Sequence, residues 1–204
     1  MKRHKRNTSK YKIIMKILLV FLILSSGYFF LFHDTNSIEG YNVDNLSIKH
    51  QFLTINPYSR SGDSLRKVKG IVVHYTANPQ SSAKNNRNYF ENLKNTHLTK
   101  ASSHFIIGLE GEIIQCIPLN EISYASNHRN KDTISIECCH PNQSGRFTNE
   151  TYNSLQTLIK SLMKTYNLDK NDVIRHYDIT GKECPKYFVT HPQKWEEFKN
   201  SLED

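Results

Sequence analysis

The chain has 204 residues, 37% hydrophobic and 23% charged, with 8 Gly and 6 Pro, which excludes collagen-like and low-complexity architectures; 10 Phe and 11 Tyr can build a core, which excludes a wholly disordered chain. The net charge of +8 would suit nucleic acid, but seven of the 27 basic residues fall within residues 1–16, and the 20 that remain almost balance 19 acids. The basicity therefore belongs to a tail, no nucleic-acid partner is expected, and the length suits one domain with an appendage.

Residues 17–32 follow that tail without a single charge. Ile13, Ile14 and Met15 extend the apolar run to about 20 residues if Lys16 snorkels, the length that crosses a bilayer. Ser25-Ser26-Gly27 offers the small residues of a signal-peptide cleavage site. Tyr28 to Phe32 argue against cleavage, because they continue the run and add an aromatic belt. The expectation is a single-pass anchor, with residues 1–16 in the cytoplasm and the body outside. Residues 33–66 read as a polar linker and N-terminal extension, with turns at Asn56–Asp63, and the folded domain is expected over 67–204.

Gly70-Ile71-Val72-Val73-His74 is a short continuous apolar run, typical of a strand buried on both faces. Ser82 to His97 suits a helix with Tyr89, Phe90 and Leu93 inward. Two strand-like segments, His104–Gly108 and Glu112–Ile117, flank Glu110-Gly111, a hairpin signal. Thr133 to Cys138 alternates, with Ile134, Ile136 and Cys138 on one face and Ser135 and Glu137 on the other. From Tyr152 to Tyr166 the apolar residues recur at helical spacing, between a start at Thr148 and a stop at Asn167. Val173-Ile174 is a short strand, and Pro192 opens a last helix with Trp195, Phe198 and Leu202 inward. Strands and helices interleave around one sheet, so the fold class is α/β.

Cys116, Cys138, Cys139 and Cys184 are an even set, but a domain of this size does not need disulfides, and adjacent Cys138 and Cys139 would point to opposite faces of a strand. His74 and His176 each end a strand, where α/β sheets gather ligand-binding residues, and Cys184 follows eight residues after His176. Two imidazoles and a thiolate suit zinc, and three protein ligands leave the open fourth position of a catalytic site. Taken alone, each has a plainer reading: a strand-end histidine is commonly satisfied by the fold, and Cys184 is commonly a buried thiol.

The surrounding words decide between these readings. Gly70–Ala77, Ser102–Gly108, Gly111–Gln115 with Pro118, Ile134–Glu137, and Gly145–Thr148 with Arg175–Lys182 resemble the zinc-dependent N-acetylmuramoyl-L-alanine amidases. That family includes the amidase-type phage lysozymes and shares its fold with the peptidoglycan-recognition proteins. The resemblance runs over roughly residues 67–190 and implies a single domain with a central mixed sheet flanked by helices and zinc at one edge. It implies metal ligands His74, His176 and Cys184, a catalytic-site Lys182, and Glu137 as acid/base. Chemistry asks for such parts: an activated water, a group to move its proton, and a cation against the oxyanion. The implied reaction is hydrolysis of the amide between N-acetylmuramic acid and L-alanine in peptidoglycan, on the outer face of the membrane. The competing readings are a non-catalytic muropeptide-binding module and an anchored assembly protein with structural zinc.

Two departures stand out. Ser103 replaces the tyrosine that phage members carry before the histidine of the His-Phe word, so no phenol acts there. The usual Trp-His-Ala-Gly word gives way to Tyr124-Ala125-Ser126-Asn127-His128, which makes His128 and Asn127 the substrate-binding candidates. His104 reads as structural.

Overall fold

Ile71, Val72 and Val73 are fully buried, which is why their run shows no polar alternation. Each such side chain contributes roughly 1.5–3 kcal/mol by leaving water. They form strand β2 (Ile71–Tyr75) of the computed structural model, which describes residues 47–203. The other strands are β1 (Ile48–His50), β3 (Phe105–Ile107), β4 (Ile113–Gln115), β5 (Ile134–Cys138) and β6 (Val173–Arg175). Their spatial order is β1-β4-β3-β5-β2-β6. Only β3 and β4 are antiparallel neighbours, so the sheet is mixed and the fold is a single α/β domain.

Helix α1 (Ala83–Thr96) starts at Ser82, whose hydroxyl accepts from the Asn85 amide (3.1 Å), and stops at His97 in the left-handed region. Its buried stripe is Ala83, Asn86, Phe90 and Leu93, and it joins Leu53, Ile106, Ile114 and Ile117 in one apolar cluster. Tyr89, expected inward, is 51% exposed, because it sits one position off that stripe. Helix α2 (Asn149–Tyr166) has the expected caps: the Thr148 hydroxyl accepts from the Thr151 amide, and Asn167 turns left-handed. Its first turns also hold the β3–β4 hairpin. The hydroxyls of Thr148, Thr151 and Ser154 donate to the carbonyls of Leu109, Gly108 and Gly111, each at 2.7 Å. Gly111 has φ 79 and a Cβ there would meet the Glu150 carbonyl at 2.9 Å, so the turn needs glycine. Three shorter helices follow: α3 (His176–Thr180), α4 (Lys186–Thr190) and α5 (Pro192–Asn200). Phe188, Trp195 and Phe198 bury together beside Tyr152 of α2.

The expected boundary at Lys67 moves upstream. Residues 47–66 are not a linker: β1 pairs in parallel with β4, and Leu53 and Leu65 are buried. Arg60 forks onto both carboxylate oxygens of Glu121 (2.6 and 2.7 Å) and donates to the Leu53 carbonyl (2.8 Å), fastening the segment down. The basic tail 1–16, the apolar segment 17–32 and residues 33–46 lie outside the described residues. Among the described residues no helix is long and apolar enough to cross a membrane.

Candidate active site

Parallel pairing of β2 with β6 brings the two strand-end histidines together. The register sets Val73 beside Arg175, so His74 and His176 emerge at the same end of the sheet. Their rings lie 4.7 Å apart, centroid to centroid. The chain then makes the short helix α3, turns at Gly181 (φ 76), and comes back: the Tyr177 amide donates to the Cys184 carbonyl (2.9 Å). That return puts Cys184 Sγ 3.8 Å from His74 Nδ1. One donor atom from each of His74, His176 and Cys184 lies within 4.8 Å of the others, and all three residues are buried.

Glu137 faces this cluster from the neighbouring strand, where the β2–β5 register pairs it with His74. Its Oε2 is shielded from solvent and has no hydrogen-bond partner among the described residues. Lys182 reaches the same cleft from the α3–Cys184 loop. The cleft measures about 560 Å³, and its far lining includes Asn86, Tyr89 and Phe90 of α1 together with Lys100 and Tyr124. Glu137 is therefore no solvated strand residue.

Burial, with the charges of His176 and Lys182, holds His74 well below the usual imidazole range. Burial and Lys182 also lower His176. Both rings are thus neutral at neutral pH, the form that ligates metals. Burial pushes the Glu137 carboxyl up to about 8 against the pull of Lys182. Burial and the nearby Glu137 push the Cys184 thiol up to about 12, opposed by the Tyr75 amide and Lys182. A divalent cation would invert that balance, because a coordinating thiol loses its proton outright.

The donors fit zinc. Two ligands of a tetrahedral site, with bonds of about 2.1 and 2.3 Å, lie about 3.6 Å apart. His74 Nδ1 and Cys184 Sγ are 3.8 Å apart. Two neutral nitrogens and one sulfur are a zinc donor set, and the partnerless Glu137 oxygen beside them belongs with a site that binds something.

Of the residues expected from the sequence, His74, His176, Cys184, Glu137, Lys182 and Asn127 meet in one cleft. His128 does not join them. It is exposed on a 3₁₀ turn (Asn127–Lys131) and does not line the cleft. Asn127 is exposed on the same turn, but its side chain lines the cleft. Asn127 itself contacts His176 Nε2 (3.0 Å) rather than only bordering open space. His104 is buried behind the site, with Nδ1 accepting from the Ser135 amide (3.0 Å) and Nε2 donating to the Glu121 carbonyl (2.9 Å). Cys116, Cys138, Cys139 and Cys184 are all free and buried.

Ser126, Lys100 and Tyr124 escaped the sequence reading. Ser126 Oγ lies 3.4 Å from His74 Nε2, and Lys100 Nζ sits 5.6 Å from the Tyr124 ring centre. Only the departure from the family word around residues 124–128 pointed at this segment.

The family model described as N-acetylmuramoyl-L-alanine amidase matches residues 64–187. The amidase CwlL of Bacillus licheniformis is 33% identical over 171 residues, covering 78% of this chain and 47% of that protein. BlyA of Bacillus subtilis (strain 168) is 33% identical over 174 residues, covering 75% and 46%. The chain thus spans about half the length of these curated relatives. A solved mutant endolysin from Bacillus subtilis superposes with a TM-score of 0.65 at 31% identity, over 77% of this chain and 99% of that one. With two thirds or more of the chain aligned to relatives above 30% identity, the chain belongs to the N-acetylmuramoyl-L-alanine amidase family.

Proposed function

We propose that this chain is a zinc-dependent N-acetylmuramoyl-L-alanine amidase that cuts the amide joining the lactyl group of N-acetylmuramic acid to the L-Ala of the stem peptide. The observation that carries this reading is the convergence of three metal donors, a partnerless carboxylate oxygen and a lysine in one cleft. The names of the relatives, all amidases of this bond, support it. Zinc, when held by His74, His176 and Cys184, supplies Lewis acidity and an activated water at neutral pH. Burial holds the Glu137 carboxyl up at about 8, and the charge of a bound divalent cation would draw it back toward the ionised form; as carboxylate it takes the proton of the attacking water and returns it to the departing L-Ala nitrogen. The Lys182 ammonium offsets the negative charge that grows on the lactyl oxygen. Lys100, which has no ion-pair partner among the described residues, is placed to meet a carboxylate of the stem peptide. Glycosidic cleavage would want two carboxylates flanking the scissile oxygen, and Glu137 is the one acid in the cleft lining.

We propose further that residues 17–32 anchor the chain in the cell membrane and that the folded body faces the wall, as the basic tail and the positive-inside rule suggest. Protease added to intact protoplasts then degrades the body and spares the tail; a fully protected body refutes the topology.

Digestion of purified cell wall tests the activity. The expected products are intact stem peptides with a new N-terminal L-Ala and glycan strands of unchanged length. New reducing ends would identify a glycosidase, new termini inside the stem an endopeptidase, and bound muropeptide without products a recognition module.

A further inference from the structure

The turn that carries Ser126 and Asn127 touches both imidazoles of the cluster. His74 directs Nδ1 toward Cys184 Sγ (3.8 Å) and Nε2 toward Ser126 Oγ (3.4 Å). His176 directs Nε2 to Asn127 Oδ1 at 3.0 Å. A carboxamide oxygen only accepts, so His176 Nε2 carries the hydrogen and Nδ1 keeps the lone pair. A ring nitrogen that carries hydrogen cannot ligate a metal. His176 is therefore left with Nδ1 for the cluster, His74 already directs Nδ1 at Cys184, and both outer nitrogens end on consecutive residues of one turn.

That turn is braced from below. Asn130 Oδ1 accepts from the amides of Ala125 (3.1 Å) and Ser126 (2.6 Å), and the Arg129 amide closes on the Ser126 carbonyl (2.9 Å). Arg129 is tied to Asp132 at 2.7 Å, at the foot of β5. Asn127 holds φ 52, a left-handed conformation that asparagine tolerates better than most residues, and from there its side chain reaches His176. Ser126 is 1% exposed, so its hydroxyl has little to meet except His74.

We infer that Ser126 and Asn127 are positioning residues that set the ring orientation and tautomer of both imidazole ligands, presenting Nδ1 of His74 and of His176 to the metal. The inference rests on the zinc reading above and adds the support that makes the site rigid; ligand-orienting partners of this kind are commonly worth 10- to 100-fold in metal affinity. It also moves Asn127 from substrate binding to the metal site.

The test measures zinc affinity of the full chain by competition with a chromophoric chelator, and histidine tautomers of the metal-free chain by ¹⁵N shifts. Asn127→Gly is the main variant, because glycine adopts φ 52 without strain. It is expected to weaken zinc binding by about 10-fold or more and to release His176 from the Nε2–H tautomer. Asn127→Asp keeps the acceptor and is expected to restore both. Ser126→Ala is expected to cost less, in keeping with its longer contact. Metal-free thermal midpoints should stay unchanged. Wild-type zinc affinity or a wild-type His176 tautomer in Asn127→Gly overturns the inference, as does a loss explained by metal-free instability that Asp fails to restore. A wild-type chain that binds no zinc overturns the zinc reading and this inference together; equal zinc binding by wild type and Asn127→Gly overturns this inference alone.

Discussion

The surroundings of His74 and His104 differ in how far the protein uses up their ring nitrogens. Both histidines are buried, both adjoin central strands, and both stand in words that match the family. Around His104 every hydrogen-bonding position is spent: Ser135 on one nitrogen and the Glu121 carbonyl on the other, with Arg60 pinning the Glu121 side chain. Around His74 one nitrogen meets Ser126 at long range, and the other faces a thiol and a second imidazole. A buried polar group satisfied by its own fold holds structure together; one aimed at other donors awaits something to bind. The contrast turns a list of histidines into a division between scaffold and chemistry.

Predictions that would break this contrast follow in order of size. On the chemical side, Glu137→Gln should lower kcat by about 10³-fold, within the range for a positioned acid/base, and Lys182→Met by about 10²-fold, in line with loss of an oxyanion partner. Zinc content should stay at the wild-type level in both, and turnover close to wild type would return that residue to a bystander. On the scaffold side, His104→Leu should leave zinc content and kcat nearly unchanged but cost about 2 kcal/mol of stability, because it orphans the buried Ser135 amide and Glu121 carbonyl. Denaturant unfolding measures that cost, and a variant as stable as wild type would deny His104 its structural role.

Acid should read the same division. Burial lowers His104 to about 4, against a weaker raising influence of Glu121. Between pH 6.5 and 4 the unfolded chain binds a proton at this position that the folded chain refuses. The stability His104 supports is therefore complete above pH 6.5 and lost as pH falls toward 4, by roughly 3 kcal/mol for such a shift. His104→Leu should flatten the unfolding free energy across that window by about one proton. The smallest effect belongs to the cleft wall: Lys100→Ala should raise KM several-fold with kcat little changed, since an exposed charge pair contributes at most about 1 kcal/mol. Steady-state kinetics on muropeptides with and without a free stem carboxylate would show it, and an equal KM for both in wild type would remove the carboxylate contact.

Much of this architecture is legible in the chain. The α2 caps, Thr148 and Asn167, are local chemistry, and β2 declares itself by three apolar residues in a row. β1 is not legible, because Ile48-Lys49-His50 has one apolar residue and holds its place through backbone pairing with β4 at the sheet edge. Tyr89 looked inward because it neighbours Phe90 and precedes Leu93 by one turn; only the packed helix reveals that Ala83, Asn86, Phe90 and Leu93 form the buried stripe. The three clustered candidate donors could be named from motif words. Their supports could not, since Asn127 and His176 are 49 residues apart and meet only when β6 lies beside β2. Sequence alone offers His128 and Asn127 side by side, and the folded chain brings only Asn127 to the cleft lining.

Metal analysis of the purified chain tests the central claim most directly. The account predicts about one zinc per wild-type chain, and strongly reduced zinc in Cys184→Ser but not in Cys116→Ser, although all four thiols are buried. Zinc retained in full by Cys184→Ser, or no zinc in the active wild-type chain, would contradict it.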